Sequence, residues 1–110
     1  MKRPDGMTIE DVKVGTGEEA KAHDTVTIHY RGTLQDGTEF DSSYARGQPA
    51  TFPLDNLIKG WQEGIPGMKV GGKRRLTIPP DLAYGQRRMP GIPPGSTLNF
   101  EIELFETKHQ

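Results

Sequence analysis

The chain contains no cysteine among its 110 residues, which excludes disulfides, thiolate nucleophiles and cysteine metal sites. Hydrophobic residues are also scarce, at 32%, with one tryptophan, three tyrosines and four phenylalanines. A core drawn from so little must be economical, and this length suits one compact domain, not two. No apolar run is long enough to cross a bilayer, and the opening MKRPDG leads into polar residues where a signal peptide needs an apolar stretch. Neither sign of charge is in excess: a net charge of −1 gives no general attraction to nucleic acid or an anionic membrane. The expectations are no nucleic-acid partner, no membrane and a soluble monomer as given. The expected location is cytoplasmic for the chain as given, and periplasmic or exported if it is cut from a longer precursor.

Glycine (14) and proline (9) are plentiful, clustered between apolar runs as in the turns of a β-rich fold. Residues 1–6 read as a flexible leader and 7–110 as a single domain. MTIEDVKV (Met7 to Val14) predicts a strand whose apolar phase slips midway, as a bulge requires. TVTIHYRGTL sends Val26, Ile28 and Tyr30 to one face and Thr25, Thr27, His29 and Arg31 to the other. Asp36-Gly37 suits a two-residue hairpin turn into a second strand, EFDSS. KRRLTI turns Leu76 and Ile78 inward, and TLNFEIELFE does the same with Leu98, Phe100, Ile102 and Leu104. Such alternation implies an antiparallel sheet packed on one side. The helical candidate to cover it is Asn56 to Glu63, capped by Asp55 or Asn56 and ended by Gly64 in the left-handed region. On that helix Leu57 and Trp61 share a face, and the fold class is α+β. From Pro79 to Gly95 the chain has no period, and a loop so long in a small domain is usually functional.

Most chemical motifs fail on inspection. GMKVGGK matches the start of a phosphate loop, but Arg74 stands where a magnesium-binding hydroxyl is needed, and the glycines lead into a strand. His23, His29 and His109 are scattered, so no metal or cofactor is expected. Ser42 and Ser43 lie on no strand-to-helix elbow. Lys69, Lys73, Arg74, Arg75, Arg87 and Arg88 read as a solvated face. Asp41, beside Phe40, is equally a pocket acceptor or a strand-end carboxylate. Tyr30, Phe40, Phe52, Trp61, Tyr84 and Phe100 come from separate elements and fit either an ordinary core or a pocket lining. Tyr30 and Tyr84 favour lining, because a buried hydroxyl needs a partner and Tyr84 sits in the long loop.

Three segments together resemble the FKBP-type peptidyl-prolyl cis-trans isomerases, which bind tacrolimus and rapamycin: VTIHYRGTLQDGTEFDSS, LIKGWQEGIPGMKVGGKRRLTIPPDLAYG and PGIPPGSTLNFEIELF. The likeness runs from about Met7 to Thr107, with the motifs in the family's order. It implies a half-barrel of five to six antiparallel strands wrapped around one short helix. It also implies a pocket lined by Tyr30, Phe40, Asp41, Leu57, Ile58, Trp61, Tyr84, Ile92 and Phe100, with Trp61 as its floor. The Ile58 N–H and the Tyr84 hydroxyl would donate to ligand carbonyls, while Asp41 would accept from the ligand or face its carbonyl region. Those three are the expected catalytic residues. The implied partners are proline-containing peptides, unfolded chains and the two macrolides, and the implied activity is isomerisation of X-Pro bonds in protein folding. A non-catalytic module docking proline-containing partners is the alternative. Ala50 stands where small eukaryotic members carry a pocket phenylalanine, and Met89 where many carry histidine or a small residue. SYARGQPATFPL is instead similar to the branch related to the macrophage infectivity potentiator, which often adds a helical dimerisation segment and is often exported.

Overall fold

The computed structural model describes residues 2–109. Its strands are β1 (Thr8–Lys13), β2 (Thr25–Leu34), β3 (Glu39–Ser42), β4 (Ala50–Pro53), β5 (Lys73–Ile78) and β6 (Leu98–Lys108). They form one antiparallel sheet in the order β1-β5-β6-β2-β3, and β4 also pairs with β2. β3 takes the Arg31–Thr33 end of that strand and β4 the Thr25–Ile28 end. Two short helices accompany the sheet: α1 (Ser43–Arg46), which the sequence does not signal, and α2 (Lys59–Gly64). Among the described residues no helix is long and apolar enough to cross a membrane.

The alternation expected of β2, β5 and β6 holds, with Val26, Ile28, Tyr30, Leu76, Ile78, Leu98, Phe100, Ile102 and Leu104 all buried on the packed face. The phase slip in β1 is a bulge between Asp11 and Lys13. The hairpin after β2 differs from the expected two-residue turn. Gly37 N–H donates to Leu34 O and Leu34 N–H to Thr38 O, a three-residue loop that Gly37 closes at φ 90°. Within the segment expected as a leader, Lys2 bridges Thr8, and Arg3 is ion-paired with Asp5 and Glu63.

The helix over the sheet is shorter than expected and begins later. Leu54–Asn56 form a 3-10 turn, Leu57 and Ile58 are extended, and α2 starts at Lys59 with Ile58 as an N-cap lacking any side-chain bond. Leu57 and Trp61 are therefore not stacked on one helical face. Gly64 stays helical, and Ile65 follows in the right-handed region. Both helix glycines serve close packing. A Cβ on Gly60 would lie 2.5 Å from Ile78 Cδ1, and one on Gly64 2.7 Å from Leu76 Cδ1. Six residues make a helix with almost no intrinsic stability. Burial of Trp61 and Ile65, on the order of 5 kcal/mol by area, supplies what the helix lacks. Arg74 closes the C-terminal end: its guanidinium donates to Gly64 O at 2.8 Å and Pro66 O at 3.3 Å, held by Asp11 at 2.7 Å.

Candidate functional site

The aromatic residues of the packed face meet α2 at a cleft of about 430 Å³, a volume suited to a small ligand or a few residues of peptide. Trp61, 5% exposed, forms its base. Three rings stand edge-on to the indole: Phe100 at 4.9 Å and 84°, Tyr30 at 5.2 Å and 75°, and Phe52 at 6.2 Å and 70°. Phe40 continues the wall, edge-on to Phe100 at 5.5 Å. Leu57, Ile58, Tyr84 and Arg87 complete the mouth with Asn56 and Ala83.

Two local irregularities aim these side chains. Neighbours on a regular strand point to opposite faces. Yet Phe40 and Asp41 both line the cleft. The cause is a bulge: Gly32 pairs with Asp41 and Thr33 with Glu39, which leaves Phe40 as the extra residue. Gly32 makes room for it, since a Cβ there would come within 2.6 Å of Phe40 and 2.8 Å of Phe100. The second irregularity is the extended break at Leu57 and Ile58, which sets both residues at the mouth and leaves the Ile58 N–H outside the helix's own hydrogen bonds.

Asp41 proves to be a cleft carboxylate. It accepts from the Tyr30 hydroxyl at 2.7 Å, from Arg46 at 2.7 Å and from the Ser42 N–H at 2.9 Å. Arg46 also donates to the Tyr30 oxygen at 2.7 Å, so α1 supplies the third corner of this triangle. Burial pushes the Asp41 carboxyl upward, but the hydrogen bonds from Tyr30 and Arg46 outweigh it and hold the group below the usual carboxylate range. Burial, reinforced by the bond to Asp41, pushes the Tyr30 phenol up. The pair thus stays as phenol and carboxylate across the physiological range. His29 bonds Ser43 and stacks on Tyr44, away from the cleft. No three His, Asp or Glu among the described residues gather as metal ligands.

Residues 16–105 match the family model described as FKBP-type peptidyl-prolyl cis-trans isomerase. The chain belongs to that family. Its FKBP domain is 53% identical over 103 residues to "FKBP-type peptidyl-prolyl cis-trans isomerase FkpA" of Escherichia coli K12, covering 94% of this chain and 38% of that protein. It is 53% identical to "Probable FK506-binding protein" of Corynebacterium glutamicum, covering 93% of this chain and 87% of the relative. The crystal structure of FkpA from Escherichia coli superposes with a TM-score of 0.93 at 51% identity, over 98% of this chain and 51% of that one. The chain thus spans well under half the length of the FkpA protein it matches.

In this FKBP domain, eight of the nine expected lining residues meet at the one cleft: Tyr30, Phe40, Asp41, Leu57, Ile58, Trp61, Tyr84 and Phe100. Ile92 does not join them. The Met89–Ile92 bridge closes a tight turn at Pro90 and Gly91, and Ile92 faces an adjacent groove with Leu34, Pro93 and Pro94. Among the described residues, the Tyr84 hydroxyl and the Ile58 N–H make no hydrogen bond, so the two expected donors are both free. The buried Trp61 Nε1 has no partner either. Arg46 and Arg87 are site residues the sequence reading missed: the first as it precedes a glycine on a helix too short to signal itself, the second as it was grouped with distant cations. Phe52 was visible only as one aromatic among several, on an edge strand two positions from Ala50.

Proposed function

We propose that this domain accelerates cis-trans rotation of X-Pro bonds in peptides and unfolded chains, with the proline seated over Trp61. The observation that carries the reading is the aromatic cup: an indole base, three edge-on rings and two unspent donors at its mouth. Resonance makes the C–N bond partly double and sets a rotation barrier of about 18–20 kcal/mol. At the twisted transition state that resonance is lost, and the amide is less polar than in either planar isomer. A water-poor aromatic cleft therefore favours the twisted form relative to water. Lowering the barrier by about 5 kcal/mol gives a few thousandfold. No proton transfer, metal or covalent step is required. The Tyr84 hydroxyl and the Ile58 N–H hold flanking carbonyls, so the bound segment keeps a turn-like shape. Asp41, fixed as a carboxylate by Arg46 and Tyr30, sets the field at the wall. Tacrolimus and rapamycin occupy the same cup in this reading.

The test is NMR exchange or protease-coupled isomerisation of short X-Pro peptides. Rate enhancement that rapamycin abolishes supports the proposal. Unchanged exchange at high protein concentration, with peptide bound, leaves only a docking module and overturns it.

A further inference from the structure

The arginines of the chain divide into two groups. Arg3, Arg31, Arg46, Arg74 and Arg75 each lie within 4 Å of a carboxylate. Arg87 and Arg88 have no acidic partner among the described residues. Asp81, the one carboxylate of the loop that carries them, makes no ion pair with either. The six cations read from sequence as one solvated face thus separate: Arg74 is a buried helix cap, Lys73 and Arg75 pair with Glu101, and Lys69 lies apart, bridged to Glu19, which leaves Arg87 and Arg88 as two adjacent, exposed cations in the loop. Their position sets them apart from any solvated charge. Arg87 lines the Trp61 cleft itself, and Arg88 lines the neighbouring groove beside Met89 and Ile92. The cleft's own carboxylate, Asp41, is already committed to Arg46 and Tyr30. A peptide seated in the Trp61 cleft would therefore meet one unneutralised guanidinium at the cleft, with a second on the next residue, and their planar forks suit a carboxylate.

We propose that the site selects X-Pro segments bearing a carboxylate next to the proline, read by Arg87 with Arg88 behind it. The inference rests on the cleft being the proline-peptide site. An exposed pair of this kind is worth about 1.5- to 5-fold per arginine, and the effect falls as salt screens it.

The experiment uses a matched set of tetrapeptides, Ala-Glu-Pro-Phe, Ala-Gln-Pro-Phe and Ala-Pro-Glu-Phe with its glutamine twin. Binding is followed by the fluorescence of Trp61, the sole tryptophan, and exchange by NMR. The quantity read is the Glu:Gln ratio within one protein, which is insensitive to the folded fraction. We expect a ratio of about 2 to 10 for at least one pair, falling toward one in Arg87→Gln/Arg88→Gln and toward one in 1 M salt. A ratio of one or less in the unsubstituted protein overturns the inference, as does a ratio that survives the double substitution. If neutral peptides bind but are not isomerised, the isomerase reading fails while the binding ratio still decides this one. If no peptide binds, both fall.

Discussion

Gly60→Ala is the substitution in which packing and helix propensity make opposite demands. In an isolated helix, alanine for glycine gains about 0.5–1 kcal/mol. Here the new methyl would sit 2.5 Å from Ile78 Cδ1, 2.6 Å from Cγ2 and 2.9 Å from Cγ1. Ordinary carbon contacts lie near 3.5–4.0 Å, so α2 must lift by about 1 Å. Rotating Ile78 does not clear the space, because both branches from its Cβ are already in the way. Overpacking costs about 1–3 kcal/mol, and with both branches of Ile78 in the way the upper part, about 2–3 kcal/mol, applies, leaving a net loss of about 1–2.5 kcal/mol after the propensity gain. In a domain this size that lowers Tm by roughly 5–10 °C. Trp61 is the next residue, so the base of the cleft moves with the helix. Urea unfolding gives the stability, and NMR exchange on an X-Pro peptide gives kcat/KM, which should fall further than Tm alone explains. The decisive control is Ile78→Ala, which removes all three obstructing atoms. Combined with Gly60→Ala it should cost at least about 1 kcal/mol less than the sum of the single changes. A Gly60→Ala protein as stable as the original, or strictly additive costs, refutes the close-packing account of the helix glycines.

Four further substitutions carry expected outcomes. Asp41→Ala should lower kcat/KM about 10-fold and Tyr84→Phe about 2- to 10-fold, each with unchanged circular dichroism; complete inactivation by either would point to a chemical step absent from the twisted-amide mechanism. Arg74→Leu strands the Gly64 and Pro66 carbonyls and unpairs Asp11, so urea denaturation should show a loss of about 2–4 kcal/mol. His109 bonds the buried Asp24 carboxylate at 2.9 Å and Glu18 at 2.7 Å, and those two partners raise its pKa above the ordinary 6.5. Its contribution is therefore full below pH 6.5 and is lost as pH rises through the raised folded value. The Tm gap between the protein and His109→Gln should be widest below about pH 6.5 and close as pH rises through the raised folded value; a gap that widens with pH contradicts this pairing.

Strand identity was readable because period-two alternation is a local property: each of Val26, Ile28 and Tyr30 is buried simply by sharing a strand face. The bulge in β1 announced itself the same way, as a slip in that alternation. The α2 boundary did not. Asp55 and Asn56 look like caps, but helix starts are set by where backbone carbonyls find donors, and the chain spends Leu54–Asn56 on a separate 3-10 turn. The role of Gly64 was likewise hidden, because the close approach of Leu76 comes from a strand twelve residues on.

The sequence by itself determined the family, through an order of motifs that resembles the FKBP-type isomerases, and it supplied the single indole and the aromatic side chains available to line a site. Tertiary structure alone decided which of those residues share a space. It placed Phe40 and Asp41 side by side through a bulge, tied Asp41 to Arg46 and Tyr30, set Ile92 on the neighbouring groove, and left Arg87 and Arg88 without a counter-charge among the described residues. The reason is physical. Face and propensity are inherited from neighbours along the chain, whereas bulge positions, close approaches and the pairing of charges depend on atoms that only folding brings together.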